Sequence, residues 1–441
     1  MKIIQAIILY CVLVQDGFSE STQPLLPDPL SLDYALSLAT DKSHPDIITA
    51  LSAKELARSE ISQADSNLSL QIDFELEAAV IDPSSLAFNQ NRDDHTAVLK
   101  VSKPLYDFGV TDNEQQAAAA EFKATKNTMD YVYNRRRLEI AGKFFAVILS
   151  DLKYSWETEA AATAFVSNDA VKDRYALGET SDVELLKSSH EQQAIFQQRA
   201  ATESQQRITR AMLAEVLNVP GSLSSNLKMP HFKYYKKTLP EYNILLNRMM
   251  KKNSLIKLAE ARTEAAHKRL QAARYQTRPK LSAQVKVSEY SRNSIANENW
   301  RAALNLSIPL LEHDGIKAEV SRQRSNWLKQ RAMLLTTQSK LRQRLYQLWQ
   351  NFQLLKSQRK QLKRSMDYRE LNLDRSRALY EMEVKTDLGD AMVATSEVRY
   401  KQAVADFNLA LTWMEILVLL NEDLTKKDLL EMPLTTSEAL N

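Results

Sequence analysis

Val101-Ser102-Lys103-Pro104-Leu105-Tyr106-Asp107-Phe108-Gly109 is the stretch on which the reading of this chain turns. It runs from alternating apolar residues through Pro-Leu to an acid and a glycine, and a long proline-free stretch follows. The same plan returns as Leu306-Ser307-Ile308-Pro309-Leu310-Leu311-Glu312-His313-Asp314-Gly315. Upstream, Leu68-Ser69-Leu70-Gln71-Ile72 returns as Leu281-Ser282-Ala283-Gln284-Val285. Downstream, Tyr175 to Val183 returns as Tyr380 to Leu388. Three landmarks in one order, all at offsets a little above 200 residues, indicate internal duplication.

Each half reads as helix, strand, strand, long helix, short break, helix. The first repeat spans 20–217, with helices at about 31–64, 108–172 and 181–217 and strands at about 68–80 and 95–103. A connector over 218–238 holds Pro220, Gly221 and Pro230. The second repeat spans 239–424, with helices at about 239–277, 314–379 and 387–422 and strands at about 280–290 and 299–308. Residues 425–441 form a polar tail.

The strands alternate strictly. Leu68, Leu70, Ile72, Phe74, Leu76 and Ala78 interleave with Ser69, Gln71, Asp73, Glu75 and Glu77. Period 2 sends one face to something apolar and the other to water. One reading is a small soluble sheet resting on a helical core. Helices this long, however, offer no compact core to cover four strands, whereas a bilayer accepts an apolar face. A sheet in hydrocarbon cannot leave an open edge. Four strands fall below the smallest spanning barrel of about eight. The strands must then be shared between chains, and a trimer gives twelve.

The helices support an elongated shape. Residues 108–172 lack proline and, at about 1.5 Å per residue, reach roughly 95 Å. Leu341, Leu345, Leu348, Phe352, Leu355 and Leu362 follow the three-four spacing of a coiled-coil seam, as do Leu138, Ala141, Phe145, Ile148 and Leu152. The chain has only seven glycines in 441 residues, far below the usual ~7%, which fits long helices with few turns. The fold class is therefore α+β: long antiparallel helical hairpins forming an α-barrel, and four strands per chain contributing to a trimeric twelve-stranded β-barrel in a membrane.

Residues 1–19 read as a secretory signal: Lys2, then an apolar run to Val14, then Gly17 and Ser19 before Glu20. Cys11, the only cysteine, lies inside it. Tyr10 is bulky where lipidation of Cys11 wants a small residue. Beyond the signal, no run reaches 18 apolar residues, so the mature chain is not expected to cross a membrane by helices.

Over about residues 30–424 these features resemble the TolC-like outer-membrane efflux protein family. The resemblance rests on Ser43-His44-Pro45-Asp46-Ile47 in the first helix, Pro104 to Gly109 after the second strand, and Tyr175-Ala176-Leu177-Gly178-Glu179-Thr180-Ser181 at the helix break. It implies a homotrimer in the outer membrane of a Gram-negative bacterium, with a helical tunnel across the periplasm. It also implies the role of passive exit duct in tripartite efflux or type I secretion. The partners would be outer-membrane lipid, a periplasmic adaptor (membrane fusion) protein and an inner-membrane pump of ABC or RND type. By the same resemblance the helix tips, at Gly178, Glu179, Thr180, Ser181, Glu383, Lys385 and Thr386, contact the adaptor. Asp387 and Asp390 match the acids that narrow the pore, with Glu184 at the equivalent place in the first half. The alternative for all three is an ordinary first-turn acid favoured by the positive helix N-terminus. Glu383 stands where the first half has Gly178, so the second tip is expected to turn differently. Asp73, Glu75 and Glu77 are expected to face the barrel lumen.

Other classes find little support. The six histidines are scattered, and neither a phosphate loop nor a nucleophile elbow occurs, so no enzyme, cofactor or metal is expected. Charged residues make up 26% and nearly balance at +3, which argues against a nucleic-acid partner. The basic run Arg359 to Arg364 reads as the solvated face of a helix. The strongest competitor is a soluble periplasmic coiled-coil scaffold without channel activity.

Overall fold

A computed structural model describes residues 26–85, 89–221, 226–230, 239–292, 298–309, 313–384, 387–422 and 424. The signal segment with Cys11, the tail 425–441, and Lys385 and Thr386 lie outside the described residues.

The chain opens with α1 (Leu32–Ser37) and a 3-10 turn (Leu38–Thr40), followed by α2 (Pro45–Ser66). The hairpin β1 (Gln71–Val80) and β2 (Asp93–Tyr106) leads into α3 (Val110–Ala176) and α4 (Asp182–Val216). The order then repeats: α5 (Tyr242–Lys252) and α6 (Ser254–Tyr275), β3 (Lys280–Tyr290) and β4 (Trp300–Ser307), α7 (His313–Glu381) and α8 (Leu388–Leu419). At about 1.5 Å per residue, α3 and α7 each run roughly 100 Å.

Two expected helices are interrupted. The first breaks before Pro45, which occupies the first helical turn of α2, while His44 Nδ1 accepts the Asp46 N–H at 3.2 Å. Proline forces its predecessor out of the helical region, so Ser43 to Ile47 starts a helix instead of lying within one. The expected helix 239–277 breaks at Asn253, where ψ is 131°. The Asn253 side chain accepts from Leu255 N–H and Ile256 N–H and donates to the Leu419 carbonyl at 2.9 Å. That contact ties the break to the end of α8.

The Pro104–Gly109 motif is a strand-to-helix junction. Phe108 and Gly109 take positive φ, and the Asp107 carboxylate accepts the N–H groups of Gly109 and Thr111. A carboxylate there satisfies orphan donors and complements the positive end of α3.

α3 is the spine, packing against α2 and α6 in its upper part and α4 and α8 below. Midway down, Phe145 stacks on Phe407 of α8 at 4.7 Å, and Phe352 and Trp413 join the same cluster. Leu341, Leu345, Leu348, Phe352, Leu355 and Leu362 are all buried, as the seam spacing requires. Arg136, 1% exposed, donates to the carbonyls of Ala39 and Val216 and ties α3 to both neighbours. Among the described residues one helix, α8, is long and apolar enough by length and composition to cross a membrane. In that window 61% of residues are buried against the rest of the protein.

Candidate functional site

β1 to β4 form one antiparallel sheet in chain order. Directly opposed residues point to the same face, so the register sorts the side chains. One face carries the rows Ile72–Val101–Val285–Ala302 and Phe74–Leu99–Val287–Trp300. The other carries Asp73–Lys100–Lys286–Arg301, with Glu75 opposite Val98 and Glu77 opposite Thr96. Asp73, Glu75 and Glu77 thus share the polar face, and each is exposed.

Among the described residues nothing covers the apolar face. Phe74 is 64% exposed, Leu76 73%, Trp300 71% and Leu304 68%. Large contiguous apolar patches on water are rare and mark a contact with lipid or another protein. Both ends of the sheet are open as well: among the described residues β1 pairs only with β2, and β4 only with β3. The strands hold 8 to 14 residues. At about 3.3 Å each and a tilt near 45°, they suit an apolar band of ~25 Å.

α2 and α4 pack mainly on α3, and α7 packs against α6 and α8. Apolar side chains are exposed along these helices: Ile48, Leu56, Ile208 and Met212 on α2 and α4, and Leu328, Leu335, Leu354 and Leu371 on α7.

The two tips turn alike. At the first, Gly178 N–H bonds the Tyr175 carbonyl and Glu179 N–H the Arg174 carbonyl, both at 2.9 Å. At the second, Glu383 N–H bonds Tyr380 and Val384 N–H bonds Leu379, both at 3.0 Å. Gly178 has φ 75° and Glu383 φ 58°. The expectation that Glu383 would change the turn is therefore wrong. The paired bonds hold the same left-handed residue against a cost of roughly 1–2 kcal/mol for a side chain there.

Counted from these turns, Asp387 takes the place of Asp182, and Glu184 corresponds to Gly389. Asp182 accepts from the Tyr175 hydroxyl, which holds that phenol above its usual range. The Glu184 carboxylate accepts the Thr180 hydroxyl at 3.0 Å, and its N–H donates to Ser181 Oγ at 3.3 Å, an N-terminal cap. Asp387 is the half-buried N-cap of α8, and Asp390 is exposed in its first turn. Just beyond Asp387, Gly389 packs on α3, where an added Cβ would lie 3.0 Å from Thr163 Cγ2. Ser396 bonds Glu159, and Tyr400 stacks on Trp156 at 5.8 Å, continuing the α3–α8 seam upward.

Residues 37–219 match the sequence family described as outer membrane efflux protein. No curated protein matches the chain. Among solved structures, the outer membrane protein VceC of Vibrio cholerae superimposes with a TM-score of 0.70 at 15% identity, over 89% of this chain and 96% of that one. The Campylobacter jejuni outer membrane channel CmeC gives 0.72 at 14% identity, over 92% and 90%. The open state of the Neisseria gonorrhoeae channel MtrE gives 0.70 at 16%, over 89% of each chain. At such identities the likeness establishes the fold across both repeats.

The register also adds residues that sequence reading passed over. Lys100, Lys286 and Arg301 share the face of the three acids. The parity of Thr96, Val98, Lys100 and Ser102 carries that signal, but only a known pairing brings the three cations into one row.

Proposed function

We propose that three copies of this chain close into an outer-membrane exit duct, a passive conduit for substrate delivered by an inner-membrane pump through a periplasmic adaptor. The observation that carries this is a four-stranded wall with an uncovered apolar face and two unpaired edges. β4 runs antiparallel to β1, so β4 of one copy can pair with β1 of the next, and three copies give twelve strands. The exposed apolar side chains of α7 and of α2 with α4 meet at the same seam. A closed ring removes every open edge that lipid would penalise. A scaffold in water would instead expose Phe74, Leu76, Trp300 and Leu304.

In this duct the polar face of the sheet lines the lumen. The tips at Gly178 to Ser181 and at Glu383, Lys385 and Thr386 are the adaptor contacts. Asp387 and Asp390, repeated by threefold symmetry near the narrow end, would attract cations. Glu184 serves its helix as a first-turn acid. The pump is of ABC or RND type, and no catalytic step belongs to this chain.

Planar-bilayer recording tests the duct. Purified protein should give discrete conductance steps, and reversing Asp73, Glu75 and Glu77 to Lys should shift selectivity towards anions. A water-soluble monomer giving no current would refute the proposal.

A further inference from the structure

We propose that Lys100, Lys286 and Ser288 form a binding site for a phosphate-type oxyanion on the polar face of the sheet. Lys100 on β2 and Lys286 on β3 are register partners. Their Cβ atoms are then about 4.5–5.5 Å apart on one face, and like charges so placed repel. Neither ammonium forms an ion pair or hydrogen bond among the described residues, although Asp73 is the register partner of Lys100 on its other side. Arg301, next in the row, is paired with Glu298 at 3.7 Å and adds a third cation beside the two lysines.

A second observation points to a ligand at the same place. Ser288 lies two residues beyond Lys286 on the same face, opposite Val98. It is 4% exposed, and its hydroxyl is buried without a hydrogen-bond partner. An unpaired buried hydroxyl is uncommon and calls for a partner. The two ammonium groups can only donate and the hydroxyl can donate as well, while an oxyanion offers acceptors to all three. An oxygen of a tetrahedral anion can take a charge-assisted bond of about 2.8 Å from each lysine. Bound there, the anion would remove the repulsion and satisfy Ser288 together.

The site rests on the duct reading for its role alone: with the polar face lining the lumen, three such sites form a ring that anionic cargo must pass. A test in solution separates the two claims. Inorganic phosphate is titrated into the full-length protein in detergent micelles at fixed ionic strength, and the phosphorus NMR linewidth is followed. Wild type should broaden the signal saturably. Lys286→Gln should weaken binding by about tenfold or more, the loss expected for a charged hydrogen bond, and Ser288→Ala should weaken it less. Lys286→Arg keeps the charge and should bind within a few-fold of wild type, which separates loss of the site from loss of the fold. An unbroadened wild-type signal, or equal titrations for wild type and Lys286→Gln, would overturn the proposal. Binding that survives without any bilayer current would overturn the duct and leave the site standing.

Discussion

Gly389 of α8 lies close against α3 near the tips. A methyl group there would sit 3.0 Å from Thr163 Cγ2 and 3.1 Å from Thr163 Oγ1. Carbon contacts are most favourable at about 3.5–4.0 Å, so Gly389→Ala must push the helices apart by roughly 0.5–1 Å. Thr163 cannot swing aside freely, because its hydroxyl is bonded to the Glu159 carbonyl at 3.1 Å. Overpacking of this kind costs about 1–3 kcal/mol. Thr163→Ala removes both close atoms and leaves only Cβ, 3.6 Å away, an ordinary contact. The double variant should therefore recover most of the loss, with a coupling of about 1–2 kcal/mol in a double-mutant cycle. Urea midpoints in detergent would supply the four stabilities. Bilayer recordings of Gly389→Ala should show raised conductance as α8 leaves α3 at the narrow end. An unchanged midpoint for Gly389→Ala, or a double variant no better than the single, would refute the packing argument.

The matched tip turns predict opposite effects for the two left-handed residues. Glu383→Gly should stabilise by about 0.5–1 kcal/mol after the added unfolded-state entropy is subtracted, and Gly178→Ala should destabilise by a similar amount; thermal midpoints in detergent report both. A second expectation concerns acid. Burial, and then the nearby Arg136 guanidinium, hold His44 below its ordinary 6.5. The unfolded chain therefore binds the extra proton first, so this contribution is complete above about pH 6.5 and is lost as pH falls through the lower folded value. His44→Asn keeps a capping side chain and should flatten the fall in stability below pH 6.5; an unchanged pH profile would count against the lowered His44.

Much of the architecture was legible because it depends on short-range chemistry. Period 2 from Leu68 to Ala78 and the seam from Leu341 to Leu362 announce a strand and a coiled-coil helix before any contact is known. Helix bounds fell within a few residues except at Pro45 and Asn253. Proline at the first turn was present in the sequence and was read as helix interior. Asn253 breaks its helix through a tertiary bond to Leu419, which no local pattern reveals. The turn at Glu383 was misjudged for a related reason: residue preference disfavours it, but two backbone bonds from the preceding helix impose it. The face shared by Lys100, Lys286 and Arg301 depends on strand register, which alternation within one strand leaves undefined.

The open margins of the sheet have a genetic consequence. A subunit whose β4 edge is damaged still offers a sound β1 edge, so it can enter the proposed ring of three and spoil it. If half of the copies in a cell are defective, only about one ring in eight is built wholly from sound ones. Such alleles should be dominant, whereas alleles that destroy the polypeptide outright should be recessive.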